Sequence, residues 1–141
     1  MKVLSVGYQG RSLDDLCATL VDAGATVLVD VRERAWSQRP EFRKTALKTA
    51  LAKHGIRYEH CREAGNPYRP RQGERLSSED CARRYRKHLD ARPEALERVA
   101  ELVGEGPVAL FCYEATTGEC HRGVLISVLC ERGTVLDVVD L

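Results

Sequence analysis

Five side chains able to do bond-making chemistry lie between positions 112 and 122: Cys112, Glu114, Cys120, His121 and Arg122. Either thiol could act as a nucleophile once ionised, with Glu114 or His121 as general acid/base and Arg122 holding an anion. The five are read together as the catalytic group. Taken singly, the plainer account is as good: Cys112 a small buried hydrophobe, Cys120 a first-turn residue, His121 a partner for a backbone carbonyl.

The flanking pattern says what would position them. Val108-Ala109-Leu110-Phe111-Cys112 is an apolar run after Gly106-Pro107, the form of a strand buried on both faces. Val124, Leu125, Val128 and Leu129 then fall on one helical face, which His121 would continue towards the sheet edge. Cys120-His121-Arg122 would therefore open a helix. Its N-terminus carries about half a positive charge, binds anions and lowers a thiol pKa. In open α/β sheets the carboxyl ends of the strands are where ligands sit.

Other strand ends bring groups to the same edge. Lys2–Val6 reads as a strand leading into Gly7-Tyr8-Gln9-Gly10-Arg11-Ser12, a turn in which Gly10, Arg11 and Ser12 could cradle a phosphate. It is neither the dinucleotide fingerprint nor a P-loop. Ser12, with Asp15 three residues on, also reads as a helix N-cap. A strand over Ala25–Val31 ends in Asp30-Val31-Arg32, whose carboxylate and guanidinium share a side. They could pair with each other or orient a ligand. Beyond them come Trp36, Arg39 and Phe42 in a polar loop, and a helix around Arg43–His54. Ile56–Cys61 alternates like an edge strand, and Arg62–Arg75 forms a long loop containing Asn66. Helices over about 78–90 (capped by Ser77) and Pro93–Val103 follow. The last strand spans Val135–Leu141.

Right-handed crossovers turn this order into a single-domain three-layer α/β/α sandwich over residues 1–141. Its sheet would be five-stranded, mostly parallel and doubly wound, hence Rossmann-like. Composition agrees, with 43% hydrophobic and 30% charged residues, values of a soluble globular domain. There is no run near the ~20 apolar residues that span a bilayer, and the N-terminus does not read as a signal peptide. A cytoplasmic protein without a membrane partner is expected, and hence six reduced cysteines. The net charge of +1 argues against wholesale polyanion binding, although residues 62–92 hold nine Lys/Arg against five Asp/Glu. The 112–122 cluster offers zinc-compatible atoms without the usual C-x₂-C pairs, so no metal and no cofactor is assigned.

Several motifs recur together in one known family. Gly7-Tyr8-Gln9-Gly10-Arg11-Ser12, Asp30-Val31-Arg32, Ser37-x-Arg39-Pro40-x-Phe42, Gly55-Ile56-x-Tyr58, Gly65-Asn66-Pro67 and Cys112-x-Glu114-x₅-Cys120-His121-Arg122 stand in an order and spacing that resemble the domain-of-unknown-function family 488, DUF488. The resemblance runs from the first strand to the last. It implies a compact α/β domain with a shared pocket and no established reaction. Many members carry His-Ser where this chain has Tyr8-Gln9, which implies altered first-loop chemistry. Ala64 replaces a common leucine.

Two functions fit. One is a small thiol-dependent hydrolase or transferase acting on an anionic, nucleotide- or phosphate-like substrate. Arg11, Arg32, Arg39 and Arg122 would be its anion clamp, and Tyr8, Trp36 and Tyr113 its stacking surface. The other is a non-catalytic module binding nucleotide or nucleic acid through the same arginines and the basic 69–92 segment. A homodimer is expected from base rates alone.

Overall fold

The computed structural model describes residues 1–67, 78–114, 121–134 and 136–141. Among the described residues ten strands and α-helices follow one another: β1 (Lys2–Gly7), α1 (Leu13–Asp22), β2 (Val27–Asp30), α2 (Lys44–Ala52), β3 (Arg57–His60), α3 (Ser78–Asp90), α4 (Pro93–Val103), β4 (Val108–Cys112), α5 (His121–Glu131) and β5 (Asp137–Asp140). Short 3₁₀ turns at Pro40–Phe42 and Arg62–Ala64 follow β2 and β3.

The five strands form one sheet in the order β3-β2-β4-β1-β5, and every pairing is parallel. The expected three-layer α/β architecture is what the chain adopts, with β3 at an edge as its alternation suggests. The central strands β2 and β4 are buried at every position. β5, at the other edge, is mostly exposed.

Strand parity divides the interior in two. Leu4, Val6, Leu28, Ala109 and Phe111 pack with Leu16 and Leu20 of α1 and Leu47 and Leu51 of α2. Val3, Val27, Val29, Leu110 and Cys112 face the other way, against Tyr85, Leu89, Val99, Leu102, Leu125 and Leu129 from α3, α4 and α5. Each fully buried aliphatic side chain contributes about 1.5–3 kcal/mol, so both layers are needed to hold the sheet.

Local signals set the helix ends. The Ser12 hydroxyl accepts from the Asp15 N–H at 3.0 Å, fixing the start of α1. Pro93 stands in the first turn of α4, where its missing donor costs nothing. Among the described residues no helix is long and apolar enough to cross a membrane.

The order of the strands decides where a site can be. β1 and β2, on either side of β4, connect onward to α1 and α2 on one face. β4 leads to α5 on the other. The chain therefore leaves neighbouring strands in opposite directions at the carboxyl end of β4, which is the topological crevice of a doubly wound sheet.

Candidate functional site

The end of β4 is the middle of the site, and alternation splits what it presents. Phe111 belongs to the α1/α2 side and Cys112 to the α3–α5 side. Tyr113 makes an edge contact with Tyr8 on the Phe111 side, 5.3 Å between ring centroids. Glu114 returns to the Cys112 side, its Oε2 3.3 Å from Cys112 Sγ.

On the α1/α2 side lies an open cleft of about 820 Å³. Tyr8, Arg32, Trp36, Arg39, Asn66 and Tyr113 line it, together with Glu33, Arg34, Ser37, Gln38 and Pro67. Its floor is rigid. Tyr8 stacks between Phe42 (4.4 Å) and Phe111 (5.3 Å). Arg32, 1% exposed, spans the same rings and makes a two-pronged bond to Asp30: Nε to Oδ1 at 2.8 Å and Nη2 to Oδ2 at 2.7 Å. Its Nη1 donates to the Phe42 carbonyl at 2.8 Å. Tyr58 adds a hydroxyl to Asp30 Oδ2 at 2.5 Å. Burial pushes the Tyr58 pKa far above the usual phenol value, with the Asp30 charge acting in the same direction, so this hydroxyl stays a donor.

The rim differs from the floor. Trp36 and Tyr113 are 56% and 43% exposed. The Arg43 guanidinium lies 4.8 Å from the Trp36 ring and its Nε holds the Ser37 carbonyl. Arg34 is exposed and makes no ion pair among the described residues. Arg39 braces the first loop, its Nη2 donating to the Arg11 carbonyl at 2.6 Å. Arg39 also pairs with Glu41.

On the α3–α5 side, Cys112, Glu114 and His121 form a cluster whose S, O and N atoms lie within 4.8 Å of one another. His121 Nε2 sits 2.8 Å from the Val31 carbonyl, which assigns the proton to that nitrogen. The Tyr85 ring stands edge-on to the imidazole, 5.3 Å away. Arg122 is fully buried, and its Nη2 donates to the Glu114 carbonyl at 2.5 Å. Desolvation lowers its pKa from 12.5 to about 10, so it remains a cation at neutral pH. The fully buried positions of α5 include Arg122, Leu125 and Leu129, so the sheet-facing stripe runs through the guanidinium. His121 lies at its half-buried margin. The expectation that His121 leads the stripe is shifted by one residue, because α5 packs against α3 as well as β4.

A family model described as a domain of unknown function, DUF488, matches residues 12–129. The chain belongs to the DUF488 family. No curated protein and no solved structure matches it.

For this DUF488 chain, the tertiary structure distributes the expected site residues over three places. Six of the expected binding residues line the cleft. Asp30 lies beneath it, holding Arg32. Gly10, Arg11 and Ser12 lie beyond it: Gly10 takes a positive φ of 74°, Ser12 caps α1, and Arg11 donates to Thr19 Oγ1 and the Leu141 carbonyl. Of the expected catalytic group, Cys112, Glu114, His121 and Arg122 are adjacent, while Cys120 lies outside the described residues. Ser77, the expected cap of the basic helix, does too. Cys17, Cys61, Cys81 and Cys130 are free, as expected, but Cys112 is disulfide-bonded, a departure from the reduced state inferred from compartment.

Sequence reasoning passed over several participants. Arg34, Ser37 and Gln38 belong to the polar stretch after β2, where residue type and spacing point only to Trp36 and Arg39 as binding residues. Tyr58 stands in the sequence only as a member of an edge strand and a motif, and its place opposite Leu28 is the signal that turns it inward. The sequence marks Gly65 only through the Gly65-Asn66-Pro67 motif. A Cβ there would land on the backbone of Glu33, so the Gly65-Asn66-Pro67 turn presses against the β2 exit and brings Asn66 to the cleft.

Proposed function

We propose that this DUF488 protein is a small enzyme that holds an anionic ligand bearing a flat ring, of nucleotide type. The reading places the ligand in the Tyr8–Trp36–Tyr113 cleft and the reacting groups at the end of β4 and the start of α5. The observation that carries it is the composition of the cleft rim. Two half-exposed aromatic rings and an exposed Arg34, in no ion pair among the described residues, surround about 820 Å³ of space at the topological crevice. Stacking surface and cationic donors are what a base joined to a phosphate requires, and the volume lies in the range of small-molecule sites. The reduced thiol of Cys112 or Cys120 would serve as nucleophile with Glu114 or His121 as proton carrier, which makes the reaction a thiol-dependent hydrolysis or group transfer. Of the five described Lys/Arg between 78 and 92, three, Arg83, Arg86 and Arg92, are already paired with Asp80, Glu131 and Glu63, which weighs towards this reading over a nucleic-acid surface, while Arg84 and Lys87 stay exposed.

Trp36 is the only tryptophan in the chain, so its fluorescence reports on the cleft. Titration with nucleoside monophosphates, nucleosides and inorganic phosphate should give saturable quenching by the nucleotides and weaker binding of either half. Arg34→Ala should lower nucleotide affinity about tenfold, the loss of a charge-assisted contact. Absence of saturable binding by any nucleotide sinks the proposal. Binding only to long oligonucleotides, with steep salt dependence, moves the function to nucleic-acid recognition.

A further inference from the structure

Cys112, Glu114 and His121 come together in the folded chain, with one candidate ligand atom from each within 4.8 Å of the others. We infer that, in its reduced form, the protein binds a zinc-type divalent cation through Cys112 Sγ, the Glu114 carboxylate and a nitrogen of His121. It rests on the reading above only for the place of the cluster: while the ion is bound these three side chains are its ligands rather than nucleophile and proton carriers, and binding of the ion can fail separately from ligand binding in the cleft.

Three observations support it. First, the three ligand atoms lie within 4.8 Å of one another and the Sγ–Oε2 separation is 3.3 Å. A tetrahedral zinc ion holds such atoms roughly 3.3–3.6 Å apart, so one ligand is already placed against another and the third must close by about an ångström. Second, Nε2 of His121 is anchored on the Val31 carbonyl. That outer-shell bond is the usual way a metal-binding imidazole is oriented, and in this tautomer Nδ1 carries the lone pair. Third, a thiolate and a carboxylate supply two negative charges against a divalent cation at a site where Cys112 is fully buried, and burial makes charge neutralisation worth more. The Nη2 of Arg122 is directed at the main-chain oxygen of Glu114. Among the described residues the cluster supplies three ligands, one fewer than a tetrahedral zinc takes.

Cys112 is disulfide-bonded in the structure, and a disulfide sulfur cannot be this ligand. The site therefore becomes competent by reduction. A dithiol reductant gives two electrons and two protons to the disulfide, two thiols form, and the reductant becomes a disulfide itself. Metal binding then releases the Cys112 proton to solvent. Metal occupancy should follow the redox state of the protein.

The test uses the full chain, stripped with chelator and divided into reduced and oxidised samples, titrated with Co²⁺ as a spectroscopic stand-in for Zn²⁺. The reduced protein should take up one equivalent with a thiolate-to-cobalt charge-transfer band, which Zn²⁺ displaces. The oxidised protein should show none. Glu114→Gln and His121→Gln, checked for native circular dichroism, should weaken binding by more than the ~10–100-fold that loss of an outer-shell partner costs. Cys112→Ser should remove the band. A reduced protein without the band overturns the proposal, as does a band that survives in Cys112→Ser. Nucleotide quenching of Trp36, read in the same samples, reports on the cleft independently of either outcome.

Discussion

Gly7 lies so close beneath Glu114 that a Cβ at position 7 would land on the Glu114 carbonyl carbon and oxygen. The contact arises because the β1–β4 ladder continues past the strands. Tyr8 N–H donates to the Cys112 carbonyl at 3.2 Å and Gln9 N–H to the Tyr113 carbonyl at 2.8 Å. The residue that ends the first strand thus sets the path of the chain through the candidate site.

Gly7→Ala should therefore destabilise by about 1–3 kcal/mol or more, the cost of overpacking against backbone that cannot turn aside. Gly10→Ala meets open space and pays only for its φ of +74°, about 1–2 kcal/mol. Urea unfolding of the two variants checks the order. A milder effect at Gly7 than at Gly10 would show that the close approach to Glu114 is not maintained in solution.

Asp30 accepts from Arg32 Nε and Nη2, from the Arg32 N–H at 3.1 Å and from Tyr58, all in the interior. Asp30→Asn leaves the buried Arg32 cation uncompensated and should cost about 3–5 kcal/mol. Tyr58→Phe removes one bond to a charged acceptor and should cost about 1.5–3 kcal/mol. Because the two share a network, the double variant should lose less than the sum, which a double-mutant cycle of denaturation free energies measures. Additivity would place them in separate environments.

The free cysteines give a pH prediction. Burial raises the Cys61 thiol from 9.0 to about 11. A group whose folded pKa is raised stabilises the fold fully below its unfolded value, and that stability is lost as pH rises through the folded value. Tyr58 and Tyr85 are also shifted upward by burial. Stability should hold up to about pH 9 and fall between about 9 and 11, with Cys61 alkylating slowly at neutral pH while exposed Cys130 reacts first. Without reductant Cys112 should stay unlabelled, and after reduction it should become labelled. Peptide mass spectrometry reads all three cysteines. Rapid Cys61 labelling at neutral pH would contradict its burial.

Much of the fold was legible because local patterns point to it without ambiguity. The apolar run 108–112 became β4 with those bounds, and Pro93 stands in the first turn of α4, where its fixed φ suits the helix. The alternation of 57–60 marked an edge strand, since only one of its faces is covered. Period-two parity put Asp30 and Arg32 on one side without deciding whether they pair or orient a ligand, and the structure pairs them. Less legible was the division of labour at the end of β4. The same parity that sends Cys112 and Glu114 to one face sends Phe111 and Tyr113 to the other, and the compact motif conceals that separation. The 3₁₀ turn Pro40–Phe42, which brings the Phe42 ring and carbonyl onto Tyr8 and Arg32, had no periodic signal, being one turn long.

By itself, the sequence determined the elements, their α/β alternation, the family and the residue types able to react, because helix and strand periods, caps and motif spacing are local properties of the chain. Only the tertiary structure decided which of those residues meet. The order β3-β2-β4-β1-β5 places β4 between β2 and β1, and that placement carries His121 to Val31, Gly65 to Glu33 and Arg39 to Arg11. Those contacts join residues 28 to 90 positions apart. They arise from burying two hydrophobic layers on one twisted sheet, a global optimum that no single stretch of sequence encodes.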